Sequence, residues 1–236
     1  MIQSKRTIGF TGADLKNFVN LAILHAVKED REMANPDDFD FAYDRILMGI
    51  RRPKLLANEE DRRAIAYHEV GHAMSALLTP GAQKLYKVTI LPAGQSLGHT
   101  SMVPDSDDQH YTKNGLLAFM DVALGGRAAE EVFLGKDNVS IGCSSDLEKT
   151  TYFGYKYIRD FVLDDDSYFL SADKEKLSDE SNYKIDLRVN ELIKESYERV
   201  KKLMRDNEKD VKLVVENLLE KETLSVDEVE EIVGTK

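Results

Sequence analysis

Ala64-Ile65-Ala66-Tyr67-His68-Glu69-Val70-Gly71-His72-Ala73-Met74 carries more information than any other stretch of this 236-residue chain. His68 and His72 stand four positions apart, and on a helix that spacing puts both imidazoles on one face, in reach of a single ion. Glu69, one residue on, is turned about a quarter of a circle away and can address a water on that ion. Zn²⁺ takes imidazole nitrogens at about 2.0–2.1 Å and keeps a position open where it does chemistry. Water held there has a pKa near 7, and a nearby carboxylate can take its proton as it attacks a carbonyl. Without an ion, the same three residues would be two hydrogen-bonded histidines and a surface charge. Ala, Ile, Val and Met flank the motif and no Pro stands from Lys54 to Thr79, which predicts a helix from about Asn58 to Leu78, ended by Thr79-Pro80-Gly81.

Composition narrows the partners. Asp plus Glu outnumber Lys plus Arg by 43 to 32, a net charge of −11, and repulsion from phosphate argues against nucleic acid. Cys143 is alone, so no internal disulfide framework is possible, which fits a reducing compartment. With neither a run of about 18 apolar residues nor a signal peptide, the chain as given is expected to be soluble.

The hydrophobic pattern predicts a mainly α protein with a small β-hairpin or sheet. Residues 1–50 form a small helical unit with too little core to stand alone, so it is expected to pack on something. Thr11 or Asp14 caps its first helix, which carries Leu15, Phe18, Val19, Ala22, Ile23 and Ala26. Asn35-Pro36-Asp37-Asp38 punctuates, a second helix begins at Phe39, and Gly49 with Arg51-Arg52-Pro53 reads as a linker. After the HExxH helix, residues 87–91 and 99–103 read as strands joined by a loop from Pro92 to Gly98. Residues 112–134 return to helix, interrupted by Gly125-Gly126. Glycines there cost about 1 kcal/mol each, so close packing against another backbone is their expected reason. A further helix runs from Asp146 through Phe161, residues 164–181 read as mobile, and a long charged helix pair spans Ile185 to Leu219 with a break near Asp206-Asn207. A short helix follows Ser225.

Two histidines need a third protein ligand, and spacing leaves it open. His25, His99 and His110 are each better read as satisfied or solvent-facing. The HExxHxxGxxH pattern fails, because the chain lacks its glycine and third histidine. Glu130 and Glu131 compete on the following helix, and Asp146 follows the turn Gly142-Cys143-Ser144-Ser145. A zinc deaminase is excluded, since the Pro-Cys-x-x-Cys ligands are absent.

Taken in order, Thr11-Gly12-Ala13-Asp14-Leu15, His68-Glu69-Val70-Gly71-His72, Leu124-Gly125-Gly126-Arg127-Ala128-Ala129-Glu130-Glu131 and Ser144-Ser145-Asp146-Leu147 resemble the FtsH family of ATP-dependent zinc metalloproteases over nearly the whole chain. The ending Leu218-Leu219-Glu220-Lys221-Glu222-Thr223-Leu224 is similar too. The resemblance implies that residues 1–50 are the C-terminal part of an ATPase helical lid and residues 51–236 a helical zinc metalloprotease domain. It implies His68, His72 and Asp146 as zinc ligands, Glu69 as general base, and Glu130 as the carboxylate that orients a ligand histidine and fixes its tautomer. It also implies that His99, Thr100, Ser101, Met102 and Val103 form an edge strand holding an extended substrate by main-chain hydrogen bonds. Gly12 and Ala13 would lie near an adenine.

Where the family usually has Thr-Gly-Ala-Ser-Asn-Asp, this chain has Ile141-Gly142-Cys143-Ser144-Ser145-Asp146. Cys143 therefore falls close to the expected metal, where a thiolate competes for zinc or a small thiol is simply buried. No GxxxxGKS/T loop is present, so ATP and Mg²⁺ are expected only in a full-length protein, with the ATPase core and membrane anchor upstream. The resemblance further implies a homo- or hetero-hexamer acting on polypeptide substrates, anchored in a bacterial inner membrane or a mitochondrial or plastid membrane. The alternative is a catalytically silent ring-assembly module of the same fold. The intact Glu69 favours the enzyme.

Overall fold

A computed structural model describes residues 7–50, 58–94, 96–103, 112–164 and 177–234. The proposed linker at Arg51-Arg52-Pro53, His110 and most of the stretch expected to be mobile lie outside the described residues.

Helix α1 (Gly12–Lys28) starts from a reciprocal cap: the Thr11 hydroxyl accepts from Asp14 N, and the Asp14 carboxylate accepts from Thr11 N at 2.9 Å. Helix α2 (Pro36–Leu47) is capped by Asn35 with Pro36 in its first turn. It therefore begins three residues before the predicted Phe39, because a proline that punctuates from outside also fits the first helical position. The pair closes over Phe18, Ala22, Ala42 and Tyr43. Buried Asp38 ties it together, accepting from Arg31 at 2.6 Å twice and from His25 Nδ1 at 2.6 Å.

Helix α3 (Glu59–Leu78) carries the HExxH motif, with Asn58 accepting from Asp61 N and three acidic residues in the positive first turn. Strands β1 (Lys84–Thr89) and β2 (His99–Val103) pair antiparallel, Val88 opposite Thr100. Strand β1 starts earlier than predicted and ends at Thr89, where the side-chain hydroxyl accepts from Leu91 N at 3.2 Å and turns the chain out of the sheet. A third strand, β3 (Thr223–Ser225), was not anticipated; it pairs with the other edge of β1, giving the order β2-β1-β3 and leaving β2 at an edge.

Helix α4 (Lys113–Leu134) runs unbroken through Gly125-Gly126. Helix α5 (Ser144–Tyr155) begins two residues before Asp146 and widens into a π turn over Lys156–Asp160, which buries the consecutive Tyr157 and Ile158. Helix α6 (Asp179–Asp206) begins six residues before the predicted Ile185, and α7 (Glu208–Lys221) follows; Asn207, between them, caps the Leu203 carbonyl with its side chain at 2.8 Å. Helix α8 (Val226–Val233) ends the fold. The main core joins α3, α4, α6, α7 and the sheet around Val70, Met74, Val88, Met204, Val215 and Leu224.

The helical unit α1–α2 docks on β1, as its small core requires. The Lys87 ammonium meets the Asp44 carboxylate at 2.7 Å where both are buried, and the Tyr86 hydroxyl donates to Asp40 at 2.9 Å.

Helices α3 and α4 touch backbone to backbone. A Cβ at Gly125 would lie 2.5 Å from the Gly71 carbonyl oxygen, and one at Gly71 would overlap the Gly125 carbonyl. Neither backbone can yield without separating the helices. Gly71→Ala is therefore expected to destabilise the metal-free chain by about 1–3 kcal/mol or more. Urea unfolding in the presence of a chelator measures this, and a variant as stable as the parent would show that the helices do not meet there.

Candidate metal centre

The close crossing of α3 and α4 seats the two histidines. A Cβ at Gly126 would fall 2.5 to 2.6 Å from atoms of the His68 ring, so only glycine leaves room for it. His68 donates through Nδ1 to Glu130 Oε1 at 2.6 Å, and His72 donates through Nδ1 to the Val122 carbonyl at 2.7 Å. Both partners come from α4. With both Nδ1 atoms donating, Nε2 of each ring is the atom left to take a proton or a cation.

The two Nε2 atoms are 3.1 Å apart, and Asp146 Oδ2 lies 3.5 Å from that of His68 and 3.4 Å from that of His72. All three side chains are nearly buried. Two ligands about 2.0–2.1 Å from a tetrahedral zinc are about 3.3–3.4 Å apart, so the triangle has the size and donor chemistry of a zinc site. Among the described residues, His68, His72 and Asp146 are the group of histidine and carboxylate donors close enough to share an ion.

Asp146 sits in the first turn of α5, where the helix dipole favours negative charge. Its Oδ1 receives Lys149 Nζ at 3.2 Å, leaving Oδ2 for the histidines. Glu130 braces the turn leading to it: Oε2 accepts from Ser140 N at 2.5 Å and Oε1 from Ser140 Oγ at 3.0 Å. One carboxylate thus fixes both a histidine and the approach to Asp146.

The electrostatics call for a cation. Burial pushes the His68 pKa down, but hydrogen bonds to Asp146 and Glu130 win and hold it at about 10. Burial raises Asp146 and Glu130, yet their histidine contacts, and for Glu130 the Ser140 amide as well, bring both below their ordinary values.

The other candidates stand elsewhere. Glu131 faces away, accepting from Tyr197 at 2.6 Å and Lys201 at 3.1 Å. His25 belongs to the Asp38 cluster. His99 lies on β2, its pKa lowered chiefly by burial. Cys143 is buried and outside the donor triangle; its thiol donates to the Ser140 carbonyl at 3.3 Å and its sulfur accepts from Arg127 at 3.4 Å. Gly12 and Ala13 are exposed in the first turn of α1. Strand β2 holds His99 to Val103 at the sheet edge, beside Glu69, which is buried.

Residues 55–232 match the family described as Peptidase family M41, and residues 4–41 match the AAA+ lid domain. The chain belongs to peptidase family M41. It is 40% identical over 99% of its length to the ATP-dependent zinc metalloprotease YME1 homolog of Caenorhabditis elegans, covering 34% of that protein. It is 38% identical over 99% of its length to the ATP-dependent zinc metalloprotease FTSH 11, chloroplastic/mitochondrial, of Arabidopsis thaliana, covering 29% of it. To YME1L1 of Homo sapiens it is 36% identical over 100% of its length, covering 30% of that chain. The chain thus spans about a third of the length of these relatives. Among the described residues, no helix is long and apolar enough to cross a membrane.

The charged cluster predicts a two-sided pH dependence for the metal-free M41 fold. His68, raised from 6.5 to about 10, contributes fully below about pH 6.5 and loses its contribution as pH climbs toward 10. Glu130 and Asp146, both lowered, contribute above their unfolded values near 4 and lose that contribution as pH falls. Stability in chelator should therefore be greatest between about pH 5 and 6.5. His68→Ala should flatten the alkaline limb in denaturant melts. An unchanged alkaline limb would remove His68 as its cause.

Proposed function

We propose that residues 51–236 form the zinc endopeptidase domain of an ATP-dependent quality-control protease, preceded in residues 1–50 by the end of its ATPase lid. In this reading His68 Nε2, His72 Nε2 and Asp146 Oδ2 hold one zinc ion, and Glu69 is the general base. The observation that carries it is the triangle of three donor atoms 3.1 to 3.5 Å apart, with the Nδ1 atoms of both histidines engaged elsewhere. Zinc, when bound, supplies a positive charge that acidifies water and polarises a peptide carbonyl. Glu69 accepts a proton as water attacks that carbonyl and returns it to the leaving amine nitrogen. Glu130 keeps His68 in the tautomer that presents Nε2. Strand β2, from His99 to Val103, offers an extended polypeptide the edge that no other described strand occupies.

The relatives' names support ATP-dependent work in a full-length protein; in this reading Gly12 and Ala13 lie near its nucleotide. The FTSH 11 name, chloroplastic/mitochondrial, supports an organellar setting, and a membrane anchor would be supplied by segments outside this chain. Six-fold assembly with like subunits would enclose the active sites. A silent assembly module of the same fold has no use for Glu69, which is intact.

Elemental analysis tests the ligand set together with activity. Asp146→Ala is expected to empty the site. Glu130→Ala should weaken metal binding about 10–100-fold without abolishing it. Glu69→Gln should keep zinc and fold while peptide hydrolysis falls about 10²–10⁴-fold. If Glu130→Ala empties the site and Asp146→Ala leaves it full, the assignment of the carboxylates is reversed.

The motor reading has its own test. With no phosphate loop, the chain should cleave unfolded or short peptides slowly and spare folded proteins, and ATP should change nothing. Degradation of one protein in folded and denatured forms, with and without ATP, decides this; ATP-stimulated loss of the folded form would overturn it.

A further inference from the structure

Glu69 does not stand free at the end of its helix face; it is gripped from the sheet. The Thr100 hydroxyl lies 2.7 Å from Glu69 Oε2 and 3.0 Å from the Glu69 carbonyl oxygen. A hydroxyl has one proton to give, and the shorter, charge-assisted bond to the carboxylate is the stronger claim on it. Gly98 completes the grip. A Cβ there would fall 2.7 Å from Glu69 Cγ, 2.8 Å from its Oε1 and 3.0 Å from Ile65 Cγ2. The backbone conformation at Gly98 is not one that requires glycine, so space for the glutamate is what the position supplies. The Gly98 carbonyl is itself held by Ser96 Oγ.

Thr100 stands where it does because Val88, its partner across β1, is wholly buried in the main core. It is also the second residue of the edge strand. The segment Gly98 to Thr100 therefore meets, on one side, the sheet edge that no other described strand pairs with and, on the other, the carboxylate of Glu69. Among the described residues, the hydrogen bond from Thr100 is the one that anchors the Glu69 carboxylate.

On the endopeptidase reading above, we infer that Thr100 is a positioning residue for the reaction: its hydroxyl, with the space left by Gly98, locks the Glu69 carboxylate in the rotamer that receives the water proton. Peptide pairing along β2 would steady the same strand and so stiffen that lock as substrate binds. Recognition along the edge and proton transfer at Glu69 are then joined through one side chain. This role differs from a main-chain contact with substrate, which any residue at position 100 would provide.

The test compares Thr100→Val, which keeps shape and loses the hydroxyl, with Thr100→Ser, which keeps the hydroxyl. Both are made in the zinc-loaded chain and assayed on a fluorogenic peptide, with zinc content and melting temperature measured alongside. For Thr100→Val, kcat should fall on the order of tenfold, part of the span that acid–base catalysis is worth. KM should stay within about twofold and zinc stoichiometry should be unchanged, the signature of a contribution made in the transition state alone. Thr100→Ser should recover most of the rate. In crystals of Thr100→Val, Glu69 should occupy more than one rotamer. A KM increase at constant kcat would make Thr100 a substrate contact instead. Equal losses in Val and Ser, or a single unchanged Glu69 rotamer in Thr100→Val, would overturn the inference. Glu69→Gln run in the same assay separates the two readings: cleavage by the parent that does not depend on Glu69 removes the endopeptidase mechanism, while the rotamer still decides the role of Thr100.

Discussion

The contact of α3 with α4 at Gly71 and Gly125 governs the geometry of the centre. Two helices normally stand 8–10 Å apart, spaced by side chains. Here two glycines let backbone meet backbone, and Gly126 lets the His68 ring lie against the next turn. Only at that separation can α4 offer an acceptor to each Nδ1, Glu130 to one ring and the Val122 carbonyl to the other. Moving α4 outward by the width of a methyl group would break both bonds and free the rings to rotate. The precision of the donor triangle is thus a property of helix packing before it is a property of the histidines.

Charge makes that arrangement costly without a cation. Glu130 and Asp146 flank two imidazoles in a nearly buried site, and such a collection cannot all be ionised and unpaired. A proton shared by His68 is one remedy, which is why its pKa stands at about 10. A divalent ion is the other, and its donor atoms already point inward. On the proposed ligand set, folding and metal binding would be coupled through the same groups. The acidic character of the chain as a whole is a separate matter, spread over exposed helix faces such as Glu180–Lys184 and Glu208–Lys212, where ion pairs are worth little.

The HExxH helix, β2 and the break at Asn207 were legible because each is written in local residue pattern: an i, i+4 pair, a short run before a turn, a polar interruption. The glycine pair on α4 was legible through its cost, which demanded a close neighbour. Strand β3 was not. Three residues carry no measurable alternation, and the strand exists because β1 offers an edge. The π turn after Tyr155 was missed for a similar reason, since burying adjacent Tyr157 and Ile158 is a tertiary demand. At the centre, nothing local ties Asp146 to a motif 74 positions earlier; spacing left it level with Glu130 and Glu131, family resemblance singled it out, and the fold brings its carboxylate to the two histidines. The acceptor for His72 is a main-chain carbonyl, which no residue type can announce.

Thr100 belongs to the same class of hidden feature, and it explains why so small a sheet accompanies so helical a protein. A helix can present two imidazoles to an ion, but a residue one step along the motif points about 100° away and needs support from another direction. The sheet lies in that direction. Its middle strand is fixed by the core through Val88, its outer strand is fixed by pairing to the middle one, and the outer strand carries the threonine that reaches Glu69. Rigidity passes from the core through two strands to a carboxylate that would otherwise be a flexible three-torsion side chain. An edge strand also has unpaired main-chain groups by construction. On the proposed endopeptidase reading, the same three strands would serve an extended peptide and the base that acts on it, with no further element between them.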